Sequence, residues 1–293
     1  MALFLFSFLS SLLIFLFIVF SIAFVTLYER HLLSLTQNRV GPMKVTFSGV
    51  FQPLLDGLKL LMKEQLLPFH ASSLFFFFVP GLSFLILFLE WFCLPYYFFF
   101  LNFQFSFIYL LCLVGFSVYS TLLSSVMSKS KYSSLGGIRA SSQSISFEIV
   151  FSLYLLCFLF LLCSYELGYI FNLGFFFLFY PYTMMVLAEL GRAPFDFSEG
   201  ESELVSGYNT EFSSVTFVLL FLGEYGVLLF FSVLGSLFFF DMNFFFVFFF
   251  FSLLLLIRSV YPRYRYDKLM SFFWKKLLPL SLFFFYYYYL FYY

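Results

Sequence analysis

Residues 187–212 read LAELGRAPFDFSEGESELVSGYNTEF. An uncharged run, Leu167 to Ala188, precedes most of this stretch, and another, Ser213 to Gly223, follows it. Between the two lie six carboxylates (Glu189, Asp196, Glu199, Glu201, Glu203 and Glu211) and one cation, Arg192, a net charge of −5. Loops between membrane helices usually carry Lys and Arg on the cytoplasmic side, where those cations fix orientation. An acidic loop this dense has two readings. It is a solvated segment, the usual fate of a charge run, or a folded acidic funnel that holds or moves protons. Glu199 and Glu203 are four apart and would share a helical face, with Glu201 opposite. Like charges that close disfavour joint ionisation, so some of them would keep a proton. Arg192 and Asp196 are also four apart and would pair in a helix, although Pro194 turns the chain between them.

Composition sets the class. Of 293 residues, 63% are hydrophobic and 10% charged, with mean hydropathy +1.01. Soluble domains carry about 25% charged residues, so the chain is an all-α polytopic membrane protein. The 56 Phe residues exceed what lipid contact asks for, since Ile, Val or Ala would serve as well. This points to nucleotide bias of the kind found in small organellar genomes. The four cysteines, Cys93, Cys112, Cys157 and Cys163, sit in apolar runs without CxxC spacing or a nearby His. They read as buried apolar residues, so no metal or iron–sulfur site is expected in this chain. The N-terminal run lacks a basic leader and reads as a retained helix.

A spanning helix needs about 20 apolar residues, within a range of about 17–25. About eight runs qualify: Ala2–Tyr28, Ala71–Leu89, Phe103–Ser128, Ile149–Tyr165 (extended back through Glu148), Leu167–Ala188, Ser213–Phe240 with Glu224 inside, Met242–Ile257 and Leu277–Tyr293. Charge supports this count. With eight helices, the loops after the first, third, fifth and seventh hold all 15 Lys and Arg, and the other face keeps Glu90, Glu166 and Asp241. The cation-rich face is then the cytoplasm or the matrix of a mitochondrion, with both termini opposite. The whole chain, 1–293, reads as one membrane domain with the acidic loop at 187–212.

The first loop contains an ordered element at residues 50–64. Phe51, Leu55, Leu58 and Met62 recur at helical spacing, and Gln52, Asp56, Lys59 and Lys63 repeat it one position later. These are two stripes of one amphipathic helix. It is too short to span and reads as interfacial or as a plain surface helix. Ionisable groups inside spans usually face a cavity or a partner, which singles out Glu224 and Glu148, the latter nine residues after Arg139. RSVYPRYRYDK, residues 258–268, interleaves Arg with Tyr but lies between two membrane helices, so it reads as membrane anchoring or a protein contact and not as a nucleic-acid site. His31 and His70 stand isolated, and the glycine-rich nucleotide motifs are absent.

The acidic stretch closely resembles the signature of the subunit 1 family of respiratory complex I, the proton-pumping NADH:ubiquinone oxidoreductase. So do ERHLLSLTQNRVGP (29–42), QPLLDGLKLLMKE (52–64), SKYSSLGGIRASSQSISFE (130–148) and YPRYRYDKLMSFFWKKLLP (261–279). The matches fall in all four charged loops and in family order. The chain departs from the family at Gly191 and Met43, where Asn is usual, at Thr46, where Gly is usual, and at Phe147, where Tyr is usual. Gly191 is expected to loosen the turn before Arg192.

The resemblance implies a subunit at the heel of the membrane arm in the mitochondrial inner membrane. It would be multi-pass, with charged loops on the matrix side and both termini in the intermembrane space. It implies a ubiquinone chamber shared with peripheral-arm subunits, its wall and mouth formed here by Arg30, Gln37, Arg39, Asp56, Lys59 and Glu64. Glu189, Arg192, Asp196, Glu199, Glu201, Glu203 and Glu211 would lie below the quinone. Arg139, Glu148 and Glu224 would continue a proton-coupling path toward antiporter-like membrane subunits. Ubiquinone is then the substrate, while FMN and iron–sulfur clusters belong to partner subunits, so the chain is part of an enzyme but not catalytic alone. The membrane subunit of an energy-converting hydrogenase shares the motif core, and a stand-alone proton or cation transporter would also use buried carboxylates.

Overall fold

A computed structural model describes residues 2–45, 47–69, 71–96, 103–168, 176–196, 207–240 and 242–292. Among these the regular elements are all helical: α1 (Ala2–Thr36), α2 (Gln52–Met62), α3 (Ser73–Trp91), α4 (Ser106–Met127), α5 (Lys131–Leu162), α6 (Phe176–Glu189), α7 (Ser214–Phe240), α8 (Phe244–Val260), α9 (Tyr266–Phe272) and α10 (Leu278–Tyr292). A π-helical segment, Phe273–Leu277, joins α9 to α10 without a break. Six helices are long and apolar enough to cross a membrane: Phe8–Thr36, Ser73–Trp91, Ser106–Met127, Lys131–Leu162, Ser214–Phe240 and Tyr266–Leu290. Phe244–Val260 is a shorter apolar helix. The fifth expected span is present as α6, while residues 169–175 of that run lie outside the described residues. The protein is a multi-pass, all-α membrane protein. A helix satisfies every backbone donor and acceptor within itself, which lipid requires.

Several boundaries differ from the apolar runs. α1 continues past Tyr28 to Thr36, α5 begins at Lys131 instead of near Glu148, and the last helix begins at Tyr266 instead of Leu277. Charge limits where a helix stays in lipid, not where it stays helical. At 1.5 Å per residue the 32 residues of α5 rise about 48 Å, well beyond the roughly 30 Å apolar core of a bilayer. The start of α5 is set by Ser130, whose side chain accepts a hydrogen bond from the Ser133 amide at 3.2 Å.

α5 is the central helix and packs against α4, α6 and α10, while α7 packs against α3 and α8. Phe147, Phe151, Tyr154 and Phe158 from α5 meet Tyr182 of α6 and Phe230, Phe231 and Phe238 of α7 in one aromatic core. Phe158 and Phe238 stack at 4.3 Å. A second core gathers Ile18, Ile22 and Val25 of α1 with Leu87 of α3, Tyr225 and Leu228 of α7, and Phe251 and Leu255 of α8. Cys93 and Cys157 are buried, but Cys112 and Cys163 are exposed, contrary to the reading of all four as buried. Apolar surroundings in sequence do not fix which face of a helix a residue occupies.

A short turn, Gly207–Asn209, returns from the acidic segment and lies against α5. A Cβ on Gly136 would stand 3.0 Å from Gly207 C and Tyr208 N, both backbone atoms that cannot yield cheaply. Gly136→Val should therefore cost about 1–3 kcal/mol through overpacking. Gly57→Ala, inside α2 with open space around it, should instead stabilise by about 0.4–1 kcal/mol. Thermal denaturation of the two variants in matched detergent checks this difference.

Candidate functional site

Glu29, the first charged side chain of the sequence, sits on α1 with 4% of its surface exposed. Its Oε1 and Oε2 accept hydrogen bonds from Arg192 Nη1 at 3.2 and 3.3 Å. Oε2 also accepts from the Tyr225 hydroxyl at 2.8 Å, and Oε1 accepts from Arg258 Nη1. The Arg192 guanidinium lies over the Tyr225 ring, 4.1 Å from its centroid. Burial works to lower the pKa of Arg192, but the adjacent Glu29 carboxylate and Tyr225 more than offset it, and the group stays firmly charged. One carboxylate thus joins α1, α7, α8 and the turn after α6.

That turn is built for the task. Gly191 takes φ +56°, a left-handed conformation that Gly reaches without a Cβ clash and Asn reaches more readily than most residues. Gly in place of the family's Asn therefore suits the turn's geometry and does not loosen it. Gln143 of α5 donates from Nε2 to the Phe195 carbonyl at 2.8 Å and the Ala188 carbonyl at 3.4 Å. The Tyr264 amide donates to the Pro194 carbonyl at 3.0 Å, and Tyr264 stacks on Phe195. Phe147 is fully buried with its ring against Phe273 and Phe195, so this position contributes packing where the family has a hydroxyl.

Arg192 and Asp196 do not pair with each other. The chain turns between them, and Asp196 binds Arg263 at 3.2 Å while Arg192 binds Glu29. The Arg–Tyr segment after α8 is therefore an internal clamp: Arg258 and Arg263 reach in to two carboxylates of this chain. These two arginines answer carboxylates of the same chain, a role the sequence reading did not foresee, while about 44% and 45% of their side-chain surface stays exposed.

Behind the clamp lies a cavity of about 290 Å³ lined by Gln143, Glu189, Arg192, Asp196, Glu224 and Arg258, among others. A second of about 120 Å³ adjoins it, sharing Thr121, Ser144, Glu189, Tyr208 and Glu224 and adding Ser83, Glu90, Ser117 and Ser120. Glu224 accepts a hydrogen bond from the Tyr208 hydroxyl. Glu189 accepts one from Ser117 at 3.4 Å, and its Oε2 is buried with no hydrogen-bond partner among the described residues. Glu189 lies within electrostatic reach of Glu148, whose Oε1 approaches Gly115 of α4. At roughly 30 Å³ per water, the larger cavity has room for about ten. Its volume stands at the lower edge of the roughly 300–1,000 Å³ usual for small-molecule pockets.

The sequence-derived residues therefore separate into groups. Glu189, Arg192, Asp196 and Glu224 line the larger cavity, Glu189 and Glu224 also line the adjoining one, and Glu148 lies within electrostatic reach of Glu189. Arg139 lies nine residues before Glu148 on α5, two and a half turns away and so on the opposite face. Arg30 and Asp56 form an ion pair at 3.2 Å between α1 and α2, and Gln37 accepts from Arg39 at 2.8 Å. Arg30, Gln37, Arg39, Lys59 and Glu64 are exposed and Asp56 is half-buried, on a surface apart from the cavity. Glu211 is half-buried beside the Gly207–Asn209 turn. Glu199, Glu201 and Glu203 lie outside the described residues. Sequence reasoning missed Glu29, Tyr208, Tyr225 and Gln143. The one available signal was Glu29, a carboxylate closing an otherwise uncharged span.

Comparison with known proteins places this architecture. A family model described as NADH dehydrogenase matches residues 9–289. The chain is 38% identical to NADH-ubiquinone oxidoreductase chain 1 of Aedes aegypti, over 95% of this chain and 94% of that protein. It is 40% identical to the same-named protein of Anopheles gambiae, over 93% and 91%. With that of Artemia franciscana the identity is 41%, over 90% and 92%. A match running through all the helices and both halves of the clamp shows that the chain belongs to the NADH dehydrogenase family.

Proposed function

We propose that the chain is the chain 1 membrane subunit of a proton-translocating NADH-ubiquinone oxidoreductase of the mitochondrial inner membrane. In this reading it supplies the membrane wall of the quinone chamber and the first part of the path that couples quinone reduction to proton movement. The observation that carries the reading is the pair of adjoining cavities that hold Glu189 and Glu224 among apolar helices, with Arg192 and Arg258 of the Glu29 clamp in the lining of the larger. Reducing a quinone to a quinol takes two electrons and two protons. Carboxylates that share one space have coupled titrations, so a change in charge at one end is felt at the next. Glu224 with Tyr208, Glu189 with Ser117, and Glu148 are spaced to hold protons in turn.

The quinone itself fits elsewhere. α2 leaves its apolar stripe, Phe51, Leu55, Leu58 and Met62, exposed beside the Arg30–Asp56 pair. An interfacial helix with such a stripe lies in the membrane surface, where a prenylated quinone would pass from lipid to a chamber completed by peripheral-arm subunits. Electron transfer from NADH through flavin and iron–sulfur centres belongs to those partners. Antiporter-like membrane subunits would receive the charged path, and the cation-rich loops would face the matrix.

Three outcomes are expected in the assembled complex. Glu224→Gln should lower quinone reduction roughly tenfold or more, the range of a lost proton-transfer group, when normalised to NADH oxidation by an artificial acceptor. Loss of acceptor activity in equal proportion would contradict the role. Asp56→Asn should raise the apparent KM for a short-chain quinone while moving stability by no more than about 1 kcal/mol, as for an exposed ion pair. Glu29→Gln should cost about 3–5 kcal/mol, since it strips the counter-charge from buried Arg192. Thermal inactivation of the complex would report it.

A further inference from the structure

Glu90 is the penultimate residue of α3, and on sequence it belongs with the few charges of the face opposite the cations. It is not at a surface. Only 1% of it is exposed, and Oε2 has no hydrogen-bond partner among the described residues. Cys93 and Leu94, just beyond it, are buried as well. The side chain lines the smaller cavity, where its neighbours include Ser83, Ser117 and Ser120, and Glu189 is within electrostatic reach. An unpaired carboxyl buried this deeply is costly unless its site has a use for it.

We infer that Glu90 is a proton-holding residue that extends the buried carboxylate series from Glu189 toward the far end of α3. The inference rests on the coupling role proposed above. The exchange is a proton transfer through water in the hydroxyl-lined cavity: Glu189 gives up its proton as a carboxylic acid, and the Glu90 carboxylate takes it. No electron moves and no covalent bond other than O–H changes. The branch uses α3, α4 and α6 and does not pass through the clamp residues.

The test is Glu90→Gln in the assembled complex, alongside Glu224→Gln, with rates normalised to NADH oxidation by an artificial acceptor. The expected result is a roughly tenfold fall in quinone-driven proton translocation for Glu90→Gln. A deuterium-sensitive carboxylic-acid band should also be lost from the reduced-minus-oxidised infrared difference spectrum. Unchanged pumping and an unchanged spectrum in Glu90→Gln, with Glu224→Gln impaired, would overturn the inference and leave the coupling reading intact. Both variants behaving as the parent would remove the coupling reading as well. If Glu90→Gln does not assemble, Glu90→Asp keeps the acid, and the difference band should shift with its new position. No shift would overturn the assignment.

Discussion

The arrangement depends on a single buried anion. Glu29 sits where α1, α7 and α8 converge, and an isolated carboxylate there would be far too costly to keep charged. Two arginines and a tyrosine hydroxyl answer it, one arginine from the turn after α6 and one from the end of α8. These partners lie 163 and 229 residues away in sequence, so the ion cluster closes the helix assembly on itself. Buried ion pairs add little net stability over apolar packing, because desolvation offsets most of the attraction. What this one contributes is position: it holds Arg192, with 13% of its side chain exposed, at the mouth of a cavity that also contains Glu189 and Glu224.

A positive charge fixed by Glu29 stands beside the carboxylates of the cavity. Arg192 remains charged through Glu29 and Tyr225, so it cannot serve as the mobile element. Asp196 is likewise held by Arg263. In the proposed coupling role, the groups that would change protonation are Glu224 on Tyr208 and Glu189 on Ser117, with serines and threonines of α4 and α5 around them. The wall is thus made of paired charges and the interior of carboxyls with hydroxyl neighbours. A chamber for quinone at the α1–α2 surface would sit outside this wall and act on it through charge.

Much of this was legible in the residues. Apolar runs located the helices, and carboxylates out of place in those runs, Glu224 and Glu148, pointed to the region where Glu189 and the cavities lie. The acidic signature marked the loop that supplies Glu189, Arg192 and Asp196. Helix ends were less legible, because charged residues such as Glu29, Lys131 and Arg139 interrupt the uncharged runs without ending the helices. Glu90 was assigned to a surface because the uncharged run stops at Leu89, one residue short of it. The Glu29 partners were illegible for a different reason: pairing between residues far apart in sequence leaves no local periodicity. Arg258 and Arg263 of the RSVYPRYRYDK segment gave no sign of their internal partners for the same reason.

The most direct measurement is a native gel of detergent-solubilised mitochondrial membranes. The band carrying this chain is identified by mass spectrometry and stained for NADH dehydrogenase activity, and its quinone reduction is assayed with and without a quinone-site inhibitor. The account requires the chain to migrate in a very large band that oxidises NADH and loses quinone reduction to the inhibitor. A chain that migrates alone, or in a small assembly without redox activity, would contradict it.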